Sequence, residues 1–371
     1  MKLQILQENL ERAVSTTSRF ASTRAQLPIL SNILLSTKKS KIYISSTNLE
    51  ISASVQVGAK VEEEGEISIP AKVISELVAN LPKETVSLTS EKEQLKVSVS
   101  GFSSTVLGMN SSDFPKIPNT IEKEKSISFS QDEIVGALGQ VIFATSTDET
   151  RPILTGVLFL FGKNSLSLVA TDGFRLSRKT LPLKVGKGVP HSVVIPKGVL
   201  SEISRTASED GEILFGVQDK EKQVIFGIGD TVLTSRLLEG EYPDFEKIIP
   251  KSSTTKVLID KEEFARAVKL ASIFARESAN IVKIKVLKDS VNISAESSSA
   301  GSQETTVDAK VESGERNFEI SFNYRFVEDF LHSATGEEVK MEFTTVSAPG
   351  VFTDTSDPSY LHLIMPVKVQ S

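Results

Sequence analysis

Apolar residues recur along this chain in two alternating rhythms. Near the start, "ENLERAV" and the residues after it set Leu10, Val14 and Thr17 three or four apart, on one face of a predicted helix. The runs "KIYISS" and "EISASVQV" follow with the period of two expected of half-buried strands. "GEISIPAKVISEL" then leads a strand into a second helix, with Pro70 near the first turn, where a missing N–H costs nothing. "TVSLTS" and "LKVSVS" return to the strand rhythm. The succession comes back in "QDEIVGAL" (Ile134, Leu138 and Val141 on one face), "SLSLVA", "HSVVIPKGVLSEI" with Pro196, "EILFGV" and "QVIFGIG". It comes back again in "EEFARAV" with Phe264, "VNISAE" and "FEISFNYRFVEDFL", where Ile320 takes the place of Ile195.

The offset between copies is nearly constant. "LPILSN" matches "RPILTG", and both Pro28 to Pro152 and Asn48 to Asp172 are shifts of 124 residues. Pro70 and Pro196 differ by 126, and "DFPKIP" at 113–118 resembles "YPDFEKIIP" at 242–250. This predicts three homologous domains of about 120 residues each, over 1–120, 126–250 and 255–371, joined by polar links near 118–126 and 250–256. The expected fold class is α+β, each domain having antiparallel sheets and two helices packed on one face.

Composition narrows the function. The 371 residues contain no cysteine, which excludes a disulfide framework, a thiolate zinc site and a cysteine nucleophile. "MKLQILQENLERAV" lacks the apolar run of a signal peptide, and the run around "GVLFLFG" is too short to cross a bilayer. A cytoplasmic protein without a membrane partner is expected. Lys plus Arg total 42 against 48 Asp plus Glu, a net charge of −6. A protein that grips nucleic acid by charge alone is usually basic, so any role on DNA must rest on local basic surface or on topology.

Catalytic chemistry is not evident. His191 lies in the second repeat and His332 and His362 in the third, without metal-ligand spacing. "GVLFLFGKN" has five residues between its glycines instead of the four of a phosphate loop, and Asn164 where Ser or Thr should hold magnesium. "GIGDTV" has Val232 where a dinucleotide fingerprint needs its third glycine. Asp148 and Glu149, beside Arg151, read as a solvated loop. No cofactor, metal or catalytic residue is expected.

One stretch is equipped differently from its sibling copies. In "LVATDGFRLSRKTLP" only the middle repeat has Asp172-Gly173 followed by a large apolar residue, an arginine and a leucine. With "LPIL…N", "YPDF…IIP" and the C-terminal "LIMPVKV", it resembles the bacterial DNA sliding clamps, the β subunit of DNA polymerase III, from Met1 to about Val369. The resemblance implies a non-catalytic processivity factor. Two three-domain subunits would join head to tail in a homodimeric ring, with sheets outside and helices lining a hole for duplex DNA. Such a ring needs no tight or sequence-specific grip, because phosphate contacts position a protein without reading sequence and weaken with salt. Basic residues implied to line the hole are Arg24, on the family's DNA-contacting loop, and Arg12, Arg19, Lys72, Lys197, Arg205, Arg266 and Lys269. The helix predicted around 131–146 has no Lys or Arg to add.

The resemblance also implies a hydrophobic pocket between the second and third domains. It would take linear peptides of the replicative polymerase, the clamp loader, repair polymerases and mismatch-repair proteins. The carry-over falls on Leu154, on Thr171, Gly173, Phe174, Arg175 and Leu176, and on Pro243, Lys247 and Ile248. It ends on Ile364, Met365, Pro366, Val367, Lys368 and Val369. Phe174 stands where many members have histidine, and Lys247 where arginine is frequent. For the ring contact, Ile273 and Phe274 would meet the partner's edge strand near Thr105, Val106 and Leu107. Two other readings are an enzyme whose site arises only between repeats and a β-repeat protein of the envelope. The paired helices and the lack of a signal peptide speak against the second.

Overall fold

The computed structural model describes residues 1–22, 27–183, 191–207, 211–218, 221–313 and 318–368. Its α-helices are α1 (Gln7–Ser18), α2 (Ala71–Ala79), α3 (Gln131–Val141), α4 (Lys197–Thr206), α5 (Lys261–Ala275) and α6 (Tyr324–Ser333). Every strand pair among the described residues is antiparallel. The chain divides into two compact units. One comprises Met1–Ile134 with Gly198–Leu237, the other Val135–Lys197 with Leu238–Ser371.

In the first unit, α1 buries Leu10, Val14 and Thr17, the face its periodicity predicts, and packs against α2. Gln7 Nε2 ties the two together by donating to the carbonyl of Val78 at 2.8 Å. A strand that the sequence pattern did not call, Lys2–Leu6, precedes α1 and pairs with Thr85–Glu91 in a five-stranded sheet ending at Phe102–Leu107. Pro70 and Pro196 each close a strand and immediately precede a helix. In the third repeat the strand ends at Asn323, so Phe322 and not Ile320 takes the place of Ile195; Asn323 replaces the proline, and its side chain accepts the N–H of Arg325 at 3.0 Å and caps α6.

The sheets do not stop at the repeat boundaries. Strand Ile51–Gly58 of the first repeat pairs with Thr231–Arg236 of the second, placing Ala53 opposite Leu233, inside an eight-stranded sheet. In the second unit, strand Arg175–Pro182 pairs with Asp357–Ile364, placing Leu176 opposite Leu363, inside a twelve-stranded sheet. Backbone ladders therefore join the repeats across both boundaries.

Two local outcomes refine the sequence reading. The helix expected over 131–146 stops at Val141 and passes into a 3-10 turn, Ile142–Ala144. Gly136, Gly139 and the β-branched Val141-Ile142 pair weaken helical backbone there. "GVLFLF" is the strand Gly156–Phe161, and "GIGDTV" is a hairpin turn at Gly229, with φ of 54°, between two strands.

The second unit's core under α5 and α6 is aromatic. Phe352 is fully buried, 5.5 Å from the Phe322 ring and 5.6 Å from Phe330. Replacing it with alanine should cost about 3–5 kcal/mol, seen as a lower denaturation midpoint. An unchanged midpoint would show that this core does not limit stability.

Candidate functional site

The turn Asp172–Arg175 is built by its own side chains. Asp172 Oδ1 accepts the N–H groups of Phe174 at 2.9 Å and Arg175 at 3.0 Å, an Asx turn. The Thr171 hydroxyl donates to the Arg175 carbonyl at 2.6 Å and accepts the N–H of Gly173 at 3.1 Å. Gly173 sits at φ of 94°, a region costly for any side chain. The Asp-Gly pair meets this geometry without the cost that a side chain would add there.

Arg175 then points inward. Its Nε meets Asp172 Oδ2 at 3.1 Å, and its guanidinium donates to the Phe143 carbonyl at 2.7 Å and pairs with Asp329. It lies 4.5 Å from the centre of the Phe326 ring. The arginine pins the turn to α6 and is engaged on every side, so it is a positioning group here more than a lining one.

The pocket residues expected from the sequence divide by burial. Leu154, Thr171, Leu176 and Ile364 are buried. Leu176 clusters with Val169, Leu363 and Phe245, backed by Ile153 and Tyr242, while Ile364 belongs to the neighbouring core under α5 and α6. Above this floor, Phe174 is 62 % exposed, Ile248 45 % and Met365 37 %. The Met365 N–H donates to the Phe174 carbonyl at 2.8 Å, joining the tail to the turn. Val367 N–H reaches the Ser321 carbonyl at 2.8 Å. Pro243 and Lys368 are exposed, and Pro366 and Val367 half-buried. Lys247 is exposed and pairs with Asp244 at 2.7 Å, a bond that raises its pKa. Val369 lies outside the described residues. The floor also contains Ile153, Tyr242, Phe245 and Leu363, which the sequence reading does not single out; Phe245, within "YPDFEKIIP", is the one whose motif signals it. Tyr242 is fixed by donating its hydroxyl to the Val169 carbonyl at 3.2 Å, and burial raises its pKa.

Of the basic residues, Arg12, Lys72 and Arg266 are exposed and make no ion pair with a described residue. Arg19 and Arg205 both pair with Glu202, at 2.9 and 2.7 Å, which halves their free charge. Lys269 stands 4.0 Å from Glu328. Lys197 is half-buried, and Arg24 falls outside the described residues.

The ring-contact residues also divide. Ile273 is 52 % exposed and Leu107 69 %. Thr105 is exposed, Phe274 packs partly into the core under α5, and the Val106 side chain is buried in the first unit's core. Val106 thus has only its backbone to offer a partner.

The assembly of repeats, antiparallel sheets and helix pairs is of the sliding-clamp class, and comparison with known proteins agrees along the whole chain. Models of the DNA polymerase III beta subunit match at residues 1–118 (N-terminal domain), 128–244 (central domain) and 246–368 (C-terminal domain). The beta sliding clamp of Staphylococcus aureus is 31 % identical over 382 residues, covering 99 % of each chain. That of Bacillus subtilis is 31 % identical over 380 residues, covering 99 % of this chain and 100 % of its own. The crystal structure of the Bacillus subtilis DNA polymerase sliding clamp superposes with a TM-score of 0.94 at 28 % identity, covering 100 % of both chains. The chain belongs to the DNA polymerase III beta subunit family, the beta sliding clamps, which are non-catalytic processivity factors of DNA replication.

One titratable group lies beneath the site. His362 is fully buried, its Nδ1 2.6 Å from the Ser177 hydroxyl and its ring stacked 5.7 Å from Phe330. Burial, with the nearby Arg175 charge, lowers its pKa to about 3. The unfolded chain takes up this proton near pH 6.5, the folded one only near pH 3. Stability from this group is therefore complete above about pH 6.5 and lost as pH falls from there, by at most about 1.4 kcal/mol per unit. Its imidazole resonances should not titrate between about pH 5 and 8. A midpoint near the ordinary histidine value would refute the buried assignment.

Proposed function

We propose that two copies of this chain close head to tail into a ring around duplex DNA in the cytoplasm, tethering the replicative polymerase. The observation that carries this reading is a pair of open strand edges. Phe102–Leu107 is the last strand of its sheet and pairs on one side only. Strand Gly301–Ser313 changes partner along its length: residues 309–313 pair with Lys256–Ile259, whereas 301–308 pair only with Ser290–Ser297. Unpaired edges invite another strand. Each open edge has exposed apolar residues nearby: Leu107 on the first, and Ile273, next to Phe274, near the second, since a Cβ on Gly301 would lie 4.0 Å from the Phe274 ring. An intermolecular ladder between them, covered by these side chains, closes a dimer without any other new surface.

Enclosure suits the net charge of −6. Holding by topology needs only scattered cations, and Arg12, Lys72 and Arg266 supply exposed ones, with Arg24, Arg19, Lys197, Arg205 and Lys269 as further members of the lining. Partners dock by linear peptides on the Phe174–Ile248–Met365 rim above the Leu176 floor. Two large apolar peptide side chains would contribute about 3–6 kcal/mol before ordering costs. That leaves exchangeable binding, which polymerase, clamp loader and repair proteins need if they are to take turns.

Two measurements test this reading. The protein, loaded by a clamp loader, should stay on nicked circular DNA and be lost when the circle is linearised; equal retention on both would remove the ring. Met365→Ala with Leu176→Ala should abolish polymerase stimulation while the mass in solution remains that of a dimer. Ile248→Asp, a surface change, should weaken stimulation without loss of stability. Full stimulation by both variants would remove the docking assignment.

A further inference from the structure

The turn that distinguishes the second repeat has a twin in the first unit. Thr47 donates to the Ile51 carbonyl at 3.0 Å and accepts the Leu49 N–H at 2.9 Å. Asn48 Oδ1 accepts the N–H groups of Glu50 at 3.0 Å and Ile51 at 2.8 Å. These are the same four bonds that shape Thr171–Arg175. The closing bond is repeated too: Arg236 N–H reaches the Glu50 carbonyl at 2.9 Å, as Met365 N–H reaches that of Phe174 at 2.8 Å. The sheets agree strand for strand. The first unit's eight strands follow the order found in the first eight of the second unit's twelve. Beneath the twin turn, Ile29, Leu30 and Phe114 form a small core with Ile117.

The chemistry of the two turns differs. Ser52 and Thr234 stand opposite each other where the other site has Leu176 and Leu363. Both are buried, and their hydroxyls are hydrogen-bonded to each other. Leu49 is exposed at φ of 76°, where the other turn uses glycine. A cavity of about 140 Å³ opens between this turn and the 115–118 segment, with Ser52, Thr234 and Gln223 in its lining and exposed Lys116 and Arg236 at its edge. That volume accommodates one side chain: a cavity of about 150 Å³ holds a benzene-sized group, and drug-sized sites run to about 300–1,000 Å³.

We infer that this cavity is a second docking site, for a short linear peptide anchored by an amide side chain. The peptide's leucine rests on Leu49 and its carboxylate on Lys116 and Arg236. The inference builds on the Leu176 site being a peptide site and differs in what it selects. The Ser52–Thr234 pair keeps a free hydroxyl proton and lone pairs, which an amide satisfies and an apolar anchor leaves buried and unpaired. One carboxylate suits the two cations, and Glu50 on the same turn repels a second.

The probe is the set of acetylated, amidated tripeptides holding Gln, Leu and Asp in their six orders, titrated into the full-length protein with labelled methyl groups. At least one order should shift the methyl signals of Leu49, Ile51 and Ile117 saturably. Replacing its Gln with Leu should weaken binding by about tenfold or more, as should Thr234→Val, a near-isosteric change whose unperturbed methyl spectrum elsewhere certifies the fold. Leu176→Ala with Met365→Ala should leave this binding intact. No shift at those methyls for any order, or affinity indifferent to Thr234→Val, overturns the second site. Shifts confined to the Leu176 and Met365 region overturn it while leaving the first site standing. Failure of the first site is read separately, as polymerase stimulation that survives its own double variant.

Discussion

The constraint on which the architecture depends is that an extended backbone cannot leave its polar edge unpaired without consequence. Each repeat is a set of strands whose last member would otherwise be open. The chain meets this by pairing Ile51–Gly58 with Thr231–Arg236 in one unit and Arg175–Pro182 with Asp357–Ile364 in the other. The repeats are thus joined by ladders whose register is fixed by alternate burial, since a slip of one residue would turn Leu176 and Leu363 to the wrong face. Among the edges still open, those at Phe102–Leu107 and in the first part of Gly301–Ser313 are the ones the proposed ring would close.

The same ladders position the candidate docking sites. The start of one repeat's strand and the last residues of the next repeat's strand come side by side, and an Asx turn leads into the first of them in each case. A duplicated junction then offers two versions of one geometry. One has a leucine floor and an apolar rim. The other has a buried hydroxyl pair and a charged edge. Divergence at Gly173/Leu49 and Leu176/Ser52 changes the chemistry without disturbing the backbone, because the bonds that hold each turn come from Thr171 and Asp172 or from Thr47 and Asn48.

Electrostatics separates positioning from contact. Arg175 and His362 lie close beneath the site, yet neither is a freely exposed charge: the arginine is held by Asp172, Asp329 and the Phe143 carbonyl, and the histidine is kept neutral by burial. The exposed cations on the helices are few, and several face a carboxylate. This balance is in keeping with the proposed enclosure, in which a tight grip on phosphates would oppose sliding.

The sequence alone determined the threefold repeat, the helix faces of Leu10, Val14 and Thr17, the antiparallel strand character and the family, because periodicity and repeated spacing are local properties. It also marked the turn at 171–176 as unusual. It could not determine that the sheets run through the repeat boundaries, since pairing between distant strands leaves no local signal, nor that Arg175 faces inward and Val106 is buried. Which apolar residues form a floor and which a rim was decided by tertiary packing: Leu176 and Met365 read alike in sequence, but one lies under a cross-strand neighbour and the other just beyond the end of the ladder. The repeat spacing already paired Asn48 with Asp172, but only the structure showed that the 47–52 and 171–176 turns share their hydrogen bonds while their floors differ, Ser52 and Thr234 against Leu176 and Leu363.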